Sequence, residues 1–307
     1  MKTREYGYPS ATGVCEIAAC AYTPDSGEYD TVLVIHHGMA EHQQRYRGFI
    51  ETLTENGIAV YMHDMANHGK SNADPALTGW FGEKDGYLGL IKDLKTNVDL
   101  AKKENPGKKT VVMGHSMGSF ICRIYTAEYA SDGVDGAIYM GTGGPNPLAG
   151  AGDKLSSLIG GVCGKKHKSK LLDKITFSAY SKPFEHRTAF DWLTRDTAIV
   201  DQYVADPYCG FLFTTQGMND LVKVNVQSNT DAWYEKLPKE LKILLISGAM
   251  DPVGDFSKGI DAVYEKLQAT GHANVEKKLY PDCRHEVLNE LNKDEIISDI
   301  IAWIGNL

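Results

Sequence analysis

The segment "VVMGHSMGS" (111–119) places a serine between glycines at the end of an apolar run. Gly114, Ser116 and Gly118 form the pattern G-x-S-x-G between a predicted strand and a predicted helix. Such a sharp turn strains the serine backbone and exposes its hydroxyl, and both glycines avoid collisions between a Cβ atom and neighbouring backbone. The turn also leaves the amide of Met117 free at a helix N-terminus, where it can stabilise an oxyanion. We predict that Ser116 is a nucleophile; the alternative is a glycine-rich turn with an idle serine.

A serine hydroxyl needs a general base, and the base needs an acid that orients it. Asp251 directly follows the predicted strand "LKILLISG", and Pro252 fixes the turn after it. His285 lies in the loop after the last predicted strand, and one crossover helix fits between the two in "FSKGIDAVYEKLQATG" (256–271). The order serine, acid, histidine is that of the α/β-hydrolases, so we predict a catalytic triad of Ser116, Asp251 and His285.

Other residues compete for two of these roles. Asp255 and Asp282 could replace Asp251, but neither sits at a strand exit followed by proline. His272 also follows the acid in sequence, but it lies in "ATGHAN", a helix-ending turn where we expect a solvated side chain.

A second oxyanion donor is expected after an early strand. The stretch "VIHHGMAEHQQRY" (34–46) supplies a His-Gly turn at Gly38, and the amide of Met39 follows it. Backbone donation requires no particular side chain, so methionine is acceptable there. We predict an oxyanion hole formed by the amides of Met39 and Met117.

Short aliphatic runs recur along the chain with helical stretches between them. Most are apolar throughout, as in parallel strands that are covered on both faces. Predicted parallel strands are 31–38, 58–64, 110–116, 136–141, 241–248 and 275–281, and "VCEIAACAY" (14–22) is predicted to be an antiparallel edge hairpin strand. The alternation predicts a three-layer α/β domain.

Helical spacing marks two amphipathic faces. The first is formed by Leu88, Ile91, Leu94, Val98 and Ala101, and the second by Ile296, Ile297, Ile300, Ile301 and Ile304.

The alternation of strands and helices fails over residues 142–232. A Gly/Pro-rich stretch (141–152) precedes helix-like segments such as 189–206, and the strand pattern resumes at Leu241. We predict a helical cap at 142–232, inserted between two parts of the core at 1–141 and 233–307, over the strand ends where open α/β sheets bind ligands. We expect about two of its aromatic residues to line an acyl tunnel and the rest to form its own small core; they are Phe177, Tyr180, Phe184, Phe190, Trp192, Tyr203, Tyr208, Phe211 and Phe213.

Charge and cysteine usage narrow the functional class. A net charge of −8 argues against a nucleic-acid partner, and the cluster Lys165, Lys166, Lys168 and Lys170 is too short to reverse that. The six cysteines form no CxxC pair, which fits reduced thiols in a cytoplasm. The N-terminal stretch lacks an apolar signal region, and no apolar run approaches the roughly 18 residues of a membrane span. We therefore expect a cytoplasmic protein without stable membrane insertion.

Five stretches together resemble the monoacylglycerol lipase and lysophospholipase-like branch of the α/β-hydrolases, of the serine aminopeptidase S33 type: "HGMAEHQQRY" (37–46), "DMANHGKS" (64–71), "GHSMGS" (114–119), "DPVGDF" (251–256) and "RHE" (284–286). The resemblance implies an α/β-hydrolase fold with a mostly parallel eight-stranded sheet, a helical cap and the triad named above. It also implies that Glu41, His42, His68 and Ser71 brace loops. Met39 and Asn67 depart from the branch, which more often has a smaller residue and a glycine at these positions.

The leading hypothesis is a serine esterase that acts on monoacylglycerol-like or lysophospholipid-like substrates through an acyl-enzyme and needs no cofactor. A general short-chain carboxylesterase and a proline iminopeptidase-like peptidase would use the same triad. A peptidase would need acidic groups that hold a free amine; possible sources are Glu185, Asp191, Asp196, Asp201 and Asp206. The sequence leaves the oligomeric state open.

Two hypotheses outside this class remain. A metal-binding protein is suggested by the density of His36, His37, His42, His63, Asp64 and His68, although no HxHxDH or HExxH pattern occurs. A non-catalytic receptor with a hydrolase fold is the other, although such proteins usually lack a triad member.

Overall fold

A computed structural model describes residues 1–307 of the chain. Its strands are β1 (Lys2–Pro9), β2 (Glu16–Thr23), β3 (Thr31–His36), β4 (Ile58–His63), β5 (Lys109–His115), β6 (Gly136–Met140), β7 (Lys242–Gly248) and β8 (Val275–Tyr280). Its α-helices are α1 (Arg47–Glu55), α2 (Tyr87–Glu104), α3 (Met117–Tyr129), α4 (Ala149–Cys163), α5 (Lys170–Phe177), α6 (Thr197–Ala205), α7 (Thr215–Gln227), α8 (Asp231–Lys236), α9 (Lys258–Ala269) and α10 (Lys293–Gly305).

The eight strands form one sheet in the order β1-β2-β4-β3-β5-β6-β7-β8. Strands β3 to β8 are parallel, and β2 pairs antiparallel with both β1 and β4. All six predicted parallel strands are present, and the sheet confirms the predicted α/β-hydrolase fold. The loops that follow β3, β4, β5, β7 and β8, which we call the strand-end loops, lie at one edge of the sheet because parallel strands share their direction.

The stretch 14–22 contains an antiparallel hairpin strand as predicted, but its predicted place at the edge of the sheet was wrong. Strand β2 lies inside the sheet, and the edge is β1, which pairs with it from Lys2 to Pro9. The sequence of β1, "KTREYGYP", is polar and largely exposed, so it lacks the apolar run that revealed the other strands.

Helices cover both faces of the sheet. Helices α1 and α10 contribute buried residues to one apolar core, and α2, α3, α7, α8 and α9 contribute to the other. One predicted contact face needs correction: Leu88 is 47% exposed, and Leu90 is fully buried instead. Leu88 and Leu90 are two positions apart and therefore point to opposite sides of α2, and the buried side is that of Leu90, Leu94 and Val98.

The chain between β6 and β7 (residues 141–241), which we call the inserted segment, carries α4 to α8. The predicted helical stretch 189–206 is helical only from Thr197. Asp196 stops the helix from extending backwards, because its side chain accepts hydrogen bonds from the amides of Ala198 and Ile199 as an N-cap. At the end of the segment, α8 packs on the core helix α3, where Trp233 Nε1 donates to the carbonyl of Arg123. No helix in the protein combines the length and the apolar character needed to cross a membrane.

Candidate active site

Ser116 occupies the sharp turn between β5 and α3. Its backbone angles, φ 54° and ψ −122°, lie in a region that non-glycine residues rarely adopt. A Cβ on Gly114 would lie 2.2 Å from the carbonyl oxygen of Gly118, and a Cβ on Gly118 would lie 2.3 Å from that of His37. The neighbouring backbone therefore requires glycine at both positions.

Asp251 and His285 come together from separate loops. Nδ1 of His285 lies 2.9 Å from Oδ2 of Asp251, and both side chains are buried. The acid is held in place by Ser247, whose hydroxyl donates to Oδ2, and by the amide of Val253, which donates to Oδ1. This geometry fixes the imidazole with Nδ1 as the donor and leaves Nε2 available as a base.

Ser116 and His285 line the same cavity. The ring of His285 lies 4.8 Å from that of His115, the residue next to Ser116, measured between centroids. Ser116 Oγ makes no hydrogen bond within the protein, so it is not bonded to Nε2 of His285, and it is exposed to the cavity. Such contacts often tighten only when substrate binds.

The competing residues make no hydrogen bond to His285, although Asp255 lines the same cavity. Neither Asp255 nor Asp282 contacts His285, and both have a left-handed backbone, with φ 49° and 61°. His272 is buried, contrary to the solvated side chain that we expected: its ring nitrogens contact the carbonyls of Leu267 and Leu237. It ties the end of α9 to the end of α8 instead of facing the cavity.

The two predicted oxyanion donors flank Ser116. The amide of Met39 has no acceptor within the protein, and Met117 is the first residue of α3, whose N–H has no partner in the helix. A Cβ on Gly38 would lie 3.1 Å from Cβ of Ser116, so the His-Gly turn runs directly beside the serine. The next amide, that of Ala40, is already bonded to Nε2 of His68.

The predicted loop braces tie strand-end loops to one another, to strand β2 and to the inserted segment. His68 also bonds the carbonyl of Ala66 through Nδ1, and burial lowers its pKa to about 3, so it stays neutral. The hydroxyl of Ser71 donates to the carbonyl of Asp64 and accepts from the amide of Ala18. Nε2 of His42 lies 2.9 Å from Oδ2 of Asp206, which ties the oxyanion turn to the inserted segment.

Glu41 belongs to a buried ionic network that also includes Arg45 and Glu286. Arg45 donates two hydrogen bonds of 2.6 Å to the carboxylate of Glu286 and one of 2.9 Å to Oε2 of Glu41. Burial alone would raise the pKa of Glu41, but His115 and Arg45 outweigh it and hold that pKa well below its usual range. The pKa of Glu286 is lowered in the same way, mainly by Arg45. Both carboxylates are therefore ionised beside the histidine loop.

The cavity over Ser116 has a volume of about 1000 Å³. Six of the nine aromatic residues of the predicted cap line it, more than the two expected: Phe177, Tyr180, Phe190, Trp192, Tyr203 and Phe211. The ring of Trp192 lies 5.1 Å from that of His285. The inserted segment thus supplies most of the apolar wall over the serine.

The five acidic residues considered as amine ligands do not line this cavity. Each has another partner: Glu185 pairs with Arg284, Asp191 accepts from Thr188, Asp196 caps α6, Asp201 pairs with Arg187, and Asp206 pairs with His42.

The six residues considered as metal ligands do not converge on one point. Rings of His36 and His63 lie 4.9 Å apart, whereas His37, His68 and Asp64 are used as hydrogen-bond partners between loops. The only group of three possible ligands with atoms within 4.8 Å of one another is His42, Asp206 and Cys209. Of these, only His42 is among the six residues considered as metal ligands.

Sequence reasoning missed Arg45, His115 and Glu286, and it named Trp192 only as one of the nine cap aromatics. Arg45 lies four residues after Glu41 and His115 adjoins the serine, so proximity to motifs was the available signal for both. Glu286 adjoins His285 and so offered the same signal, whereas the approach of Trp192 to His285 depends on how the inserted segment folds back on the histidine loop. There, the amide of Glu286 donates to the carbonyl of Leu193 at 2.7 Å.

Comparisons with known proteins identify the family of the chain. Residues 27–292 match the family model described as serine aminopeptidase, S33. The chain is 27% identical to a monoacylglycerol lipase of Mycolicibacterium smegmatis, covering 98% of this chain and 96% of that protein. It is 24% identical to human monoglyceride lipase, covering 93% and 86% of the two chains. Among solved structures, a thermostable carboxyl esterase from Bacillus coagulans, in complex with glycerol, superposes with a TM-score of 0.92 at 29% identity, covering 100% and 99%.

Proposed function

Because the chain belongs to the serine aminopeptidase S33 family, within its monoacylglycerol lipase-like α/β-hydrolases, we propose that it hydrolyses monoacylglycerol-like lipid esters through an acyl-enzyme on Ser116. The family assignment makes the protein a carboxylic ester hydrolase. The observation that carries the proposal is the buried hydrogen bond between Asp251 and His285 at the cavity that also contains the strained Ser116.

In the first step, Oγ of Ser116 attacks the ester carbonyl carbon while Nε2 of His285 takes the hydroxyl proton. Asp251 holds the imidazole orientation and stabilises its positive charge. The negative charge on the former carbonyl oxygen is bound by the amides of Met39 and Met117, and one such donor contributes on the order of 10²–10³ in rate. When the tetrahedral intermediate collapses, His285 returns the proton to the leaving alkoxide and the alcohol departs.

In the second step, His285 removes a proton from water, and the resulting hydroxide attacks the acyl carbon. Collapse of this intermediate releases the carboxylic acid and returns the proton to Ser116. Only side chains, backbone amides and water take part in these steps.

The substrate class rests on the cavity. A volume of about 1000 Å³ exceeds what a short acyl group needs, and its wall over Ser116 is aromatic, which favours a long apolar chain. The related lipases named above act on glycerol monoesters by their names, which is the alcohol we assign to this protein.

A general carboxylesterase is the second candidate, favoured by the likeness to the Bacillus coagulans carboxyl esterase. A peptidase that binds a free amine is less well supported, since none of the five acidic residues considered as amine ligands lines the cavity.

We also propose that residues 142–232 act as a cap over a core formed by 1–141 and 233–307. The aromatic cavity wall supports this division.

The test combines labelling with a substrate panel. A fluorophosphonate should modify Ser116, and Ser116→Ala should abolish both labelling and hydrolysis of p-nitrophenyl esters. A panel from acetate to palmitate, alongside monoacylglycerol and lysophosphatidylcholine, should show a long-chain optimum with monoacylglycerol preferred. Labelling at another residue would refute the mechanism, and an acetate optimum would favour the carboxylesterase.

A further inference from the structure

Three side chains of types that commonly bind metal ions meet where the inserted segment contacts the oxyanion turn. They are His42 of that turn, and Asp206 and Cys209 in the loop after α6. One ligand atom from each lies within 4.8 Å of the other two, and Nε2 of His42 is 2.9 Å from Oδ2 of Asp206. We call these three residues the His-Asp-Cys cluster.

The loop after α6 presents two of the three ligands from one tight turn. In "DPYCG" (206–210), the amide of Cys209 donates to the main-chain oxygen of Asp206 at 3.1 Å, as in a β-turn. Pro207 fixes the backbone at the second position of the turn, and the amide of Tyr208 donates to Oδ1 of Asp206 at 2.8 Å. Zinc-binding turns use the same separation of two residues between ligands, usually with cysteine at both positions. The turn therefore holds a carboxylate and a thiol at the spacing of a zinc-binding turn.

Backbone contacts attach this turn to the residues that carry the third ligand. The amide of Gly210 donates to the main-chain oxygen of Ala40 at 2.9 Å, and the hydroxyl of Tyr203 donates to the same oxygen at 3.0 Å. The ring of His42 also lies against that of Tyr208, with 5.8 Å between the centroids. Tetrahedral zinc requires about 3.3–3.6 Å between its nitrogen, oxygen and sulfur ligands, which the three side chains reach with shifts of about 1 Å.

The donor atoms and their charges indicate the kind of ion. Imidazole nitrogen and thiolate sulfur favour Zn²⁺, whereas Ca²⁺ and Mg²⁺ prefer at least about six oxygen ligands and the cluster has a single carboxylate. The carboxylate of Asp206 and a thiolate at Cys209 together neutralise a divalent ion. The neighbouring cation, Arg45, is paired with both Glu41 and Glu286, so it adds no net positive charge beside the cluster.

An ion can reach the cluster from solvent through Asp206, whose side chain is 29% exposed. Cys209 is a free thiol that packs against Leu193 and Tyr203, which accounts for its burial but not for the imidazole and carboxylate beside it.

The thiol of Cys209 is protonated unless a metal ion replaces its proton. Burial raises the pKa of this thiol; Arg45 opposes the shift, whereas Asp206, Glu41 and Glu286 add to it. His42 is the remaining titratable group of the cluster, and its imidazole binds a metal ion only when neutral. Because metal binding releases the thiol proton, affinity should increase with pH.

We propose that the His-Asp-Cys cluster binds one Zn²⁺ ion, with water as the fourth ligand, and that this ion fastens the inserted segment to the oxyanion turn. None of the three ligands lines the cavity over Ser116, so the ion would contact no substrate. Its effect would reach the cavity through Ala40 and Gly210, which do line it. Zinc would therefore stiffen this part of the cavity wall without entering the reaction.

Metal titration of reduced protein freed of metal by a chelator tests binding directly. Co²⁺ should produce a thiolate-to-cobalt charge-transfer band and the intense visible bands of four-coordinate cobalt, both complete at one ion per chain. Zn²⁺ should displace the cobalt, because it binds nitrogen and sulfur ligands more tightly. Cys209→Ser should remove the charge-transfer band and weaken Zn²⁺ binding at least about 100-fold, since loss of even an outer partner of a metal ligand costs about 10–100-fold.

Two further variants separate loss of a ligand from damage to the fold. C163S/H167Q removes an exposed thiol and an exposed imidazole four residues apart on the surface of the inserted segment, and it should bind both ions as the parent does. Asp206→Cys replaces the carboxylate by a second thiolate at the C-x-x-C spacing and should tighten Zn²⁺ binding by about tenfold or more. A damaged fold would not produce such a gain.

Stability and amide exchange test the fastening of the inserted segment. At about 100 times its Kd, Zn²⁺ should raise the Tm of the parent by about 5 °C, because the ion binds only the folded state. It should also slow exchange of the Gly210 amide, which donates to Ala40. Both effects should be absent in Cys209→Ser, and the affinity of the parent should rise from pH 6.5 to pH 8.

Three results would overturn the proposal: no charge-transfer band with Co²⁺, equal weakening of Zn²⁺ binding in Cys209→Ser and C163S/H167Q, or no gain of affinity in Asp206→Cys. None of these measurements uses ester hydrolysis. A parent that failed to hydrolyse esters would count against the proposed function and not against the zinc site.

Discussion

The two sides of the cavity are built differently. The strand-end loops bury charged and polar groups and satisfy them through bonds between loops, as with Arg45 between Glu41 and Glu286. Helices α4 and α5 of the inserted segment expose leucine, isoleucine and valine. In the proposed reaction, the first side holds the reacting atoms in fixed positions, which requires rigidity, whereas the second contacts an apolar chain, which requires only shape and hydrophobicity. Substitutions should therefore cost far more on the first side.

The largest difference in activity between a variant and its control should be found at Asp251. Asp251→Asn should lower kcat/KM by roughly 10³–10⁴, because the amide can no longer accept from Nδ1 and stabilise the imidazolium. Asp282→Asn changes the rival acid in an exposed loop and should leave kcat/KM within about twofold. Steady-state hydrolysis of p-nitrophenyl butyrate measures both. Equal losses would show that Asp251 has no special role.

Breaking the buried network should be the next most costly change. Arg45→Met would leave Glu41 and Glu286 buried without their cation and should destabilise the protein by about 3–5 kcal/mol. Arg47→Met removes an exposed pair with Glu51, at 2.9 Å, and should change stability by less than about 1 kcal/mol. Urea denaturation at pH 7 compares the two. Similar midpoints for both variants would contradict the assignment of a buried ionic network.

The stability of the protein should depend on pH through Asp220, which lies where the inserted segment packs on the core. Asp220 on α7 is buried with no hydrogen-bond partner for either carboxylate oxygen, and burial raises its pKa to about 7. The folded state therefore keeps a proton that the unfolded state has lost, so stability falls as pH rises from about 4 through 7. Asp220→Asn should remove this dependence and stabilise the protein at pH 8 by about 1–3 kcal/mol.

Thermal melts at pH 5 and pH 8 measure this effect. The variant and the parent should differ at pH 8 and converge at pH 5. If the parent instead gained stability relative to the variant between pH 5 and pH 8, the raised pKa of Asp220 would be refuted.

The smallest effect should come from the apolar wall. Phe177→Ala should raise KM for p-nitrophenyl palmitate about three- to tenfold and leave the acetate ester nearly unchanged, because only a long chain reaches this ring. Leu171 lies on the same helix but faces outward. Leu171→Ala should therefore leave the KM for the palmitate ester and the KM for the acetate ester unchanged when no lipid surface is present. An equal rise in KM for the acetate ester would contradict this prediction and would place Phe177 near the reacting centre.

Prediction from sequence succeeded where local chemistry dictates the conformation. Apolar runs identified the parallel strands because strands covered on both faces contain few polar residues. It failed for β1, whose polar exposed sequence pairs on one edge only, and for 189–196, where Asp196 caps the helix that follows. It also failed for Leu88, because helical periodicity indicates which side of a helix is apolar but does not show which residues at its end are buried.

The sequence by itself determined the parallel strands of the sheet, the glycines around Ser116 and the order of the residues proposed as the triad, because these depend on short stretches and their succession. Only the tertiary structure decided that Arg45 meets Glu286, that His115 faces two acceptors and that six aromatic rings line the cavity. Such contacts join residues up to 241 positions apart. No local pattern encodes them, because they arise when separate loops converge at one edge of the sheet.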